Sequence, residues 1–94
     1  MDKVEAQSLL AAELEIFRAL TYAELVKKIG TDARNYERKA SSEVVYQVQI
    51  QFYWDGREGE DVRVLGAIED GGWRAFLPLA DSFIMGPDGT FVGE

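Results

Sequence analysis

The sequence contains no cysteine and no histidine. The first absence removes disulfide scaffolds, thiolate-bound zinc and thiol nucleophiles. The second removes imidazole general bases, Ser-His-Asp triads and nearly all transition-metal sites. Proline occurs only twice, at Pro78 and Pro87, so the first three quarters of the chain carries no proline punctuation. No apolar run approaches the roughly 20 residues that a membrane-spanning helix needs. The start, Met1-Asp2-Lys3-Val4-Glu5, is not a basic stretch followed by an apolar one, and a cytoplasmic protein outside the membrane is expected.

What is present is ordinary globular material. Ninety-four residues with 47% hydrophobic and 29% charged side chains make one domain, 1–94, with room for a single core. Ten basic and 17 acidic residues give a net charge of −7, a field that repels phosphate backbones and anionic lipid. Neither nucleic acid nor membrane is therefore an expected partner, and no residue set calls for a cofactor.

The periodicity changes near residue 40. From Val4 to Ala19, Leu10, Leu14 and Phe17 recur at helical spacing, flanked by Leu9 and Ile16, while Glu5, Glu13, Glu15 and Arg18 lie off the stripe. This spacing predicts an amphipathic helix. Thr21 with Glu24 three residues on forms a capping-box pattern, Leu20 and Leu25 fit a hydrophobic staple, and Gly30 is a stop signal. A second helix, or the continuation of one bent helix, is expected to end at Ile29, for a helical region of about 4–29. Residues 31–42 show no apolar period and read as a connector.

From Glu43 to Trp54 the period is two. Val44, Tyr46, Val48, Ile50, Phe52 and Trp54 share one face; Val45, Gln47, Gln49, Gln51 and Tyr53 share the other. This is a strand with one face on the core and one nearer water. Asp55–Glu60 is a polar loop, and Asp61–Glu69 a second strand with Val62, Val64 and Ile68 in phase. Gly66 within it suggests a bulge or a close aromatic neighbour. Asp70-Gly71-Gly72 signals a tight turn. Trp73–Leu77, Ser82–Met85 and Thr90–Val92 are short strand candidates, the last following the turn at Pro87-Asp88-Gly89. The expected architecture is α+β: two N-terminal helices, or one bent helix, on one face of an antiparallel meander sheet of four to five strands spanning 43–93.

The segments Glu69-Asp70-Gly71-Gly72-Trp73-Arg74-Ala75-Phe76-Leu77-Pro78-Leu79, Asp81-Ser82-Phe83-Ile84 and Pro87-Asp88-Gly89-Thr90-Phe91-Val92-Gly93-Glu94 together resemble a group of small bacterial proteins with no assigned activity. The resemblance covers the C-terminal half. It implies a bacterial source and a stand-alone domain, and transfers no catalytic residue.

Three function classes compete. A small carboxylate-based enzyme or ligand-binding domain would use Glu69, Asp70 and Asp81, with Arg74 as an anion clamp and Tyr46 or Tyr53 as a proton donor. A winged-helix DNA binder is suggested by the Ala19–Gly30 segment and by Lys27–Lys39, which holds five basic and two acidic residues. It would need a recognition helix between Thr31 and Ser42, and the net charge opposes it. The favoured class is a non-catalytic interaction module. Val45, Tyr53, Leu65 and Phe76 fall out of phase with the core, on the sheet face the helices do not cover. Gln47, Gln49 and Arg63 dilute that patch, which suits a protein partner or weak homo-oligomer rather than an obligate interface. The competing possibility is that the C-terminal strands or the connector fold over it. The acidic loops around Asp55–Asp61 do not match a calcium-loop pattern, and solubility and turn formation account for them.

Overall fold

A computed structural model describes residues 1–72 and 78–94. Two helices, α1 (Lys3–Arg18) and α2 (Tyr22–Lys28), precede four strands, β1 (Arg34–Lys39), β2 (Val45–Asp55), β3 (Asp61–Glu69) and β4 (Leu79–Met85). The strands form one antiparallel sheet in the order β1-β2-β3-β4, a meander. Both helices pack on one face of it, α1 against β3 and β4 and α2 against β3. The protein is α+β.

The helices are separate because each N-terminus is capped. Asp2 accepts the Glu5 N–H at 3.0 Å, and at Thr21 both halves of the capping box form: the Thr21 hydroxyl accepts the Glu24 N–H at 3.1 Å and the Glu24 carboxylate accepts the Thr21 N–H at 3.0 Å. The Thr21 N–H, with the Thr21 side chain beside it, holds the Glu24 carboxyl below the usual range. Gly30 takes φ +83°, the left-handed conformation that ends helices.

The expected connector is the largest correction. Residues 34–39 form strand β1, paired from Arg34↔Ile50 to Lys39↔Val45. The sequence Arg-Asn-Tyr-Glu-Arg-Lys shows no alternation because β1 is an edge strand on which only Tyr36 is half-buried. Its register is set by its neighbour. The hairpin to β2 turns through Ala40–Val44, with Glu43 at φ +75°; Val44 therefore lies in the turn and is 40% exposed, not on the core face as its phase suggested. At the other end of the chain, the fourth strand starts earlier than expected, at Leu79. Thr90–Val92 contributes an isolated bridge, Phe91 to Met85, rather than a strand. The strand expected at Trp73–Leu77 lies outside the described residues.

The core is where the helix stripe meets the alternating strand face. Leu10, Leu14, Phe17, Leu25, Tyr46, Val48, Ile50, Phe52, Val62, Val64, Ile68, Phe83 and Met85 are all buried. Phe17 meets Phe52 edge-on, with centroids 5.5 Å apart. Ile16, assigned to the stripe, is 54% exposed, one helical step too far round. Gly66 carries no bulge, and among the described residues the atoms nearest to a Cβ there are aliphatic. Its pairing with Ile50 is in regular register, and it sits beneath α1. A Cβ there would lie 2.8 Å from Leu10 Cδ1, 3.2 Å from Leu14 Cδ2 and 3.3 Å from Ile50 Cδ1. The missing side chain is what lets the helix descend onto the sheet.

Arg18, at the end of α1, fastens the C-terminus. Its guanidinium lies 4.6 Å from the centre of the Phe91 ring and 5.0 Å from that of Phe83, and it donates twice to the Glu94 carboxylate, at 2.7 and 2.8 Å.

Two expectations follow. Phe52→Ala loses the contact with Phe17 and should cost about 3–5 kcal/mol in urea melts; a loss under ~1 kcal/mol would place Phe52 outside the core. Gly66→Ala should destabilise by about 1–3 kcal/mol through overpacking, despite the better strand propensity of alanine. Adding Leu10→Ala should then cost less than it does in the wild-type background, because the two changes share one space. Strictly additive losses would mean that α1 does not rest on Gly66.

Candidate protein-contact surface

The strands that bury one set of side chains present the other set to the opposite face, and no described helix lies there. The register orders that outer face into rows. Val45 stands beside Lys39; Gln47 lies between Glu37 and Glu69; Gln49 lies between Asn35 and Ala67; Gln51 faces Leu65, which faces Ser82; Tyr53 faces Arg63, which faces Ile84.

Two regions result. Near β1 the face is polar and internally paired: Gln47 Nε2 donates to Glu37 Oε1 and Gln49 Nε2 to Asn35 Oδ1, each at 3.1 Å. At the other end, Tyr53, Leu65 and Ile84 surround Arg63. Tyr53 is 43% exposed, whereas Leu65 and Ile84 are half-buried. Arg63 lies between Tyr53 and Ile84 in register, its Nε donating to Asp55 Oδ1 at 3.1 Å and its Nη1 to Ser82 Oγ at 2.9 Å.

Of the contact residues expected from sequence, the structure brings Tyr53 and Leu65 together as diagonal neighbours. Val45 is exposed on the same face, but eight residues from Tyr53 along β2 is roughly 27 Å, so the two do not share a patch. Phe76 lies outside the described residues. Ile84 was missed. Its signal was the alternation of Ser82 and Ile84 against Phe83 and Met85, visible once residues 82–85 are taken as a strand. The connector, thought able to fold over this face, instead extends it sideways as β1.

The residues expected for acid–base chemistry do not converge. Glu69 pairs with Gln47 on the outer face, while Asp81 pairs with Gly66 on the helix side. Glu69 accepts the Gly71 N–H. Asp70 accepts the Gly72 N–H at 3.1 Å, which holds its carboxyl below the usual range. Tyr46 is fully buried and donates to Glu5 Oε1 at 2.9 Å, which also accepts from Ser42 Oγ at 2.7 Å. Arg74 lies outside the described residues. Among the described residues there is no group of three acidic side chains placed to hold a metal ion and no helix long and apolar enough to cross a membrane. The recognition helix that DNA binding required between Thr31 and Ser42 is replaced by β1.

Burial, reinforced by the Glu5 carboxylate, pushes the Tyr46 hydroxyl up to about 12 from 10.0. The folded protein keeps this proton more tightly than the unfolded chain does. The associated stabilisation is therefore complete below the unfolded value of 10.0 and lost as pH rises through about 12. Urea midpoints should fall across that interval, and Tyr46→Phe should fall less steeply; parallel slopes would exclude Tyr46 as a source of the alkaline loss.

Comparison with known proteins gives no match: no protein-family model, no curated sequence and no solved structure is similar to this chain.

Proposed function

We propose that this protein is a non-catalytic interaction module that binds another protein through the outer sheet face at Tyr53, Leu65 and Ile84. The observation that carries the reading is Arg63. Its two hydrogen bonds, to Asp55 and Ser82, fix a guanidinium on the row that carries an exposed tyrosine and an isoleucine, so the cation of the patch is ordered before any partner arrives. Tyrosine and arginine are the side chains that most often anchor protein contacts, and ordering them in advance reduces what association costs. Gln51, across from Leu65, and the paired Gln49 beyond it give the patch a polar border on one side, of the kind that surrounds reversible interfaces. The separation of Glu69 and Asp81 onto opposite faces favours this reading over carboxylate catalysis, which needs its groups on one substrate.

The double variant Tyr53→Ser, Ile84→Ser should keep a Tm near that of the wild type, because neither side chain is part of the core. It should lose the partner captured from the native host, or the weak self-association seen by sedimentation. Val45→Ser, at the far end of the same face, should behave as wild type in both assays. Equal capture and self-association by the folded double variant and the wild type would refute the patch as the contact.

A further inference from the structure

The two edges of the sheet are finished differently. On β4, Val92 N–H donates to Ile84 O and Gly86 N–H to Thr90 O, both at 2.9 Å, and Phe91 bridges to Met85; the chain after the last strand covers that edge. Beside β1 no described segment does the same.

Which backbone groups β1 leaves open follows from its hairpin. Ala40 N–H donates to Val44 O at 2.9 Å. In an antiparallel pair every second residue turns both its N–H and its C=O to the partner. Arg38, Tyr36 and Arg34 therefore bond to β2, while Ala33, Asn35, Glu37 and Lys39 point outward. Two of the outward carbonyls are occupied by the strand's own side chains: Asn35 Nδ2 donates to Ala33 O and Arg38 Nη1 to Glu37 O, each at 3.2 Å. These local bonds stand where a neighbouring strand's donors would be.

Along the sequence, the stretch from Lys27 to Lys39 is opposite in sign to the protein as a whole. β1 carries Arg34, Arg38 and Lys39 against Glu37, but Arg38 is paired with Glu13 and Lys39 with Glu43; Lys27 and Lys28 at the end of α2 line a groove with Arg34, Glu24 and Asp32. Lys27–Lys39 is the one basic stretch of a chain of net charge −7. Arg34 makes no ion pair among the described residues; its guanidinium lies 5.8 Å from the centre of the Phe17 ring. A second copy of β1 is a poor fit. Each symmetric antiparallel register that overlaps most of the strand sets like charges opposite each other. One places Arg34 across from the copy's Arg38, and the other places Glu37 across from itself, and such pairs are destabilising.

We propose that the open edge of β1 is a strand-addition site for an extended acidic segment of another protein. The segment pairs antiparallel with the outward backbone groups of Asn35 and Glu37, displacing the Arg38 side chain from Glu37 O, and sets a carboxylate opposite Arg34 and a second near Arg38, which keeps its pairing with Glu13, with an apolar residue opposite Tyr36. This site is independent of the Tyr53 patch, and either can fail without the other.

The test uses the full chain and a labelled peptide, Thr-Glu-Thr-Val-Thr-Glu-Thr, with blocked ends. Fluorescence anisotropy at about 0.15 M salt should show saturable binding. Replacing both glutamates by lysine should weaken it at least about tenfold, as should Arg34→Glu in the protein. Replacing the third and fifth threonines by proline removes the N–H groups that face β1 and should abolish binding with the charge unchanged. Amide exchange at Asn35 and Glu37 should slow when the peptide is bound. The proposal is overturned by no saturable binding up to about 1 mM peptide. It is equally overturned if the proline peptide binds as well as its parent, or if a thymidine oligonucleotide of the same length binds more tightly than the peptide.

Discussion

At Gly66 the helix α1 meets bare backbone, and the rest of the structure is arranged around that approach. Leu10 and Leu14 reach into the space a side chain would occupy, so the helix lies low enough for one stripe to seal the inner faces of β2, β3 and β4. A side chain there would crowd the ends of Leu10, Leu14 and Ile50, all of them buried, and force them to repack. Interiors at crystal-like packing density do not absorb such a shift locally.

One layer of helix can cover one face of a sheet. With α1 and α2 both on the inner side, the alternation that buries Tyr46, Val48, Ile50 and Phe52 commits Gln47, Gln49, Gln51 and Tyr53 to the other side. Near β1 that side is tied together by two cross-strand side-chain bonds, Gln47 to Glu37 and Gln49 to Asn35. Around Arg63 the polar bonding instead fixes a cation among apolar neighbours. The difference between a satisfied ladder and an ordered apolar patch distinguishes the candidate contact surface from the remainder of the face.

The edge strand β1 is held to the body by a charged contact. Glu13, on α1, is buried, and Arg38 Nε lies 2.8 Å from its Oε1. The alignment is not that of a hydrogen bond, and Oε1 has no hydrogen-bond partner, so the attraction is that of an ion pair. Arg38 also stacks on Tyr36 at 4.7 Å. Burial, together with the nearby Glu13 carboxylate, pushes the Tyr36 hydroxyl up to about 12. Removing Arg38 would leave a buried carboxylate without its cation, a costly state, so the same side chain ties β1 to the helix and neutralises a charge in the core.

The helices, their caps and strands β2 and β3 were legible in the sequence, because each is specified by neighbours along the chain: a stripe at helical spacing, a threonine three residues before a glutamate, apolar residues alternating with glutamines. Those same phases marked Tyr53 and Leu65 as residues of the outer face. Strand β1 was not legible, since an edge strand exposed on both faces needs no apolar alternation, and its structure comes from hydrogen bonds to β2. The role of Gly66 was also hidden: a glycine in a strand shows that something comes close, but only the packing of α1 shows that leucines do. Nor could phase along one strand show that Val45 and Tyr53 stand far apart while Ile84 joins Tyr53 across Arg63. Local periodicity determines which face a side chain takes; which side chains then become neighbours depends on strand register and helix placement, which only the tertiary structure decides.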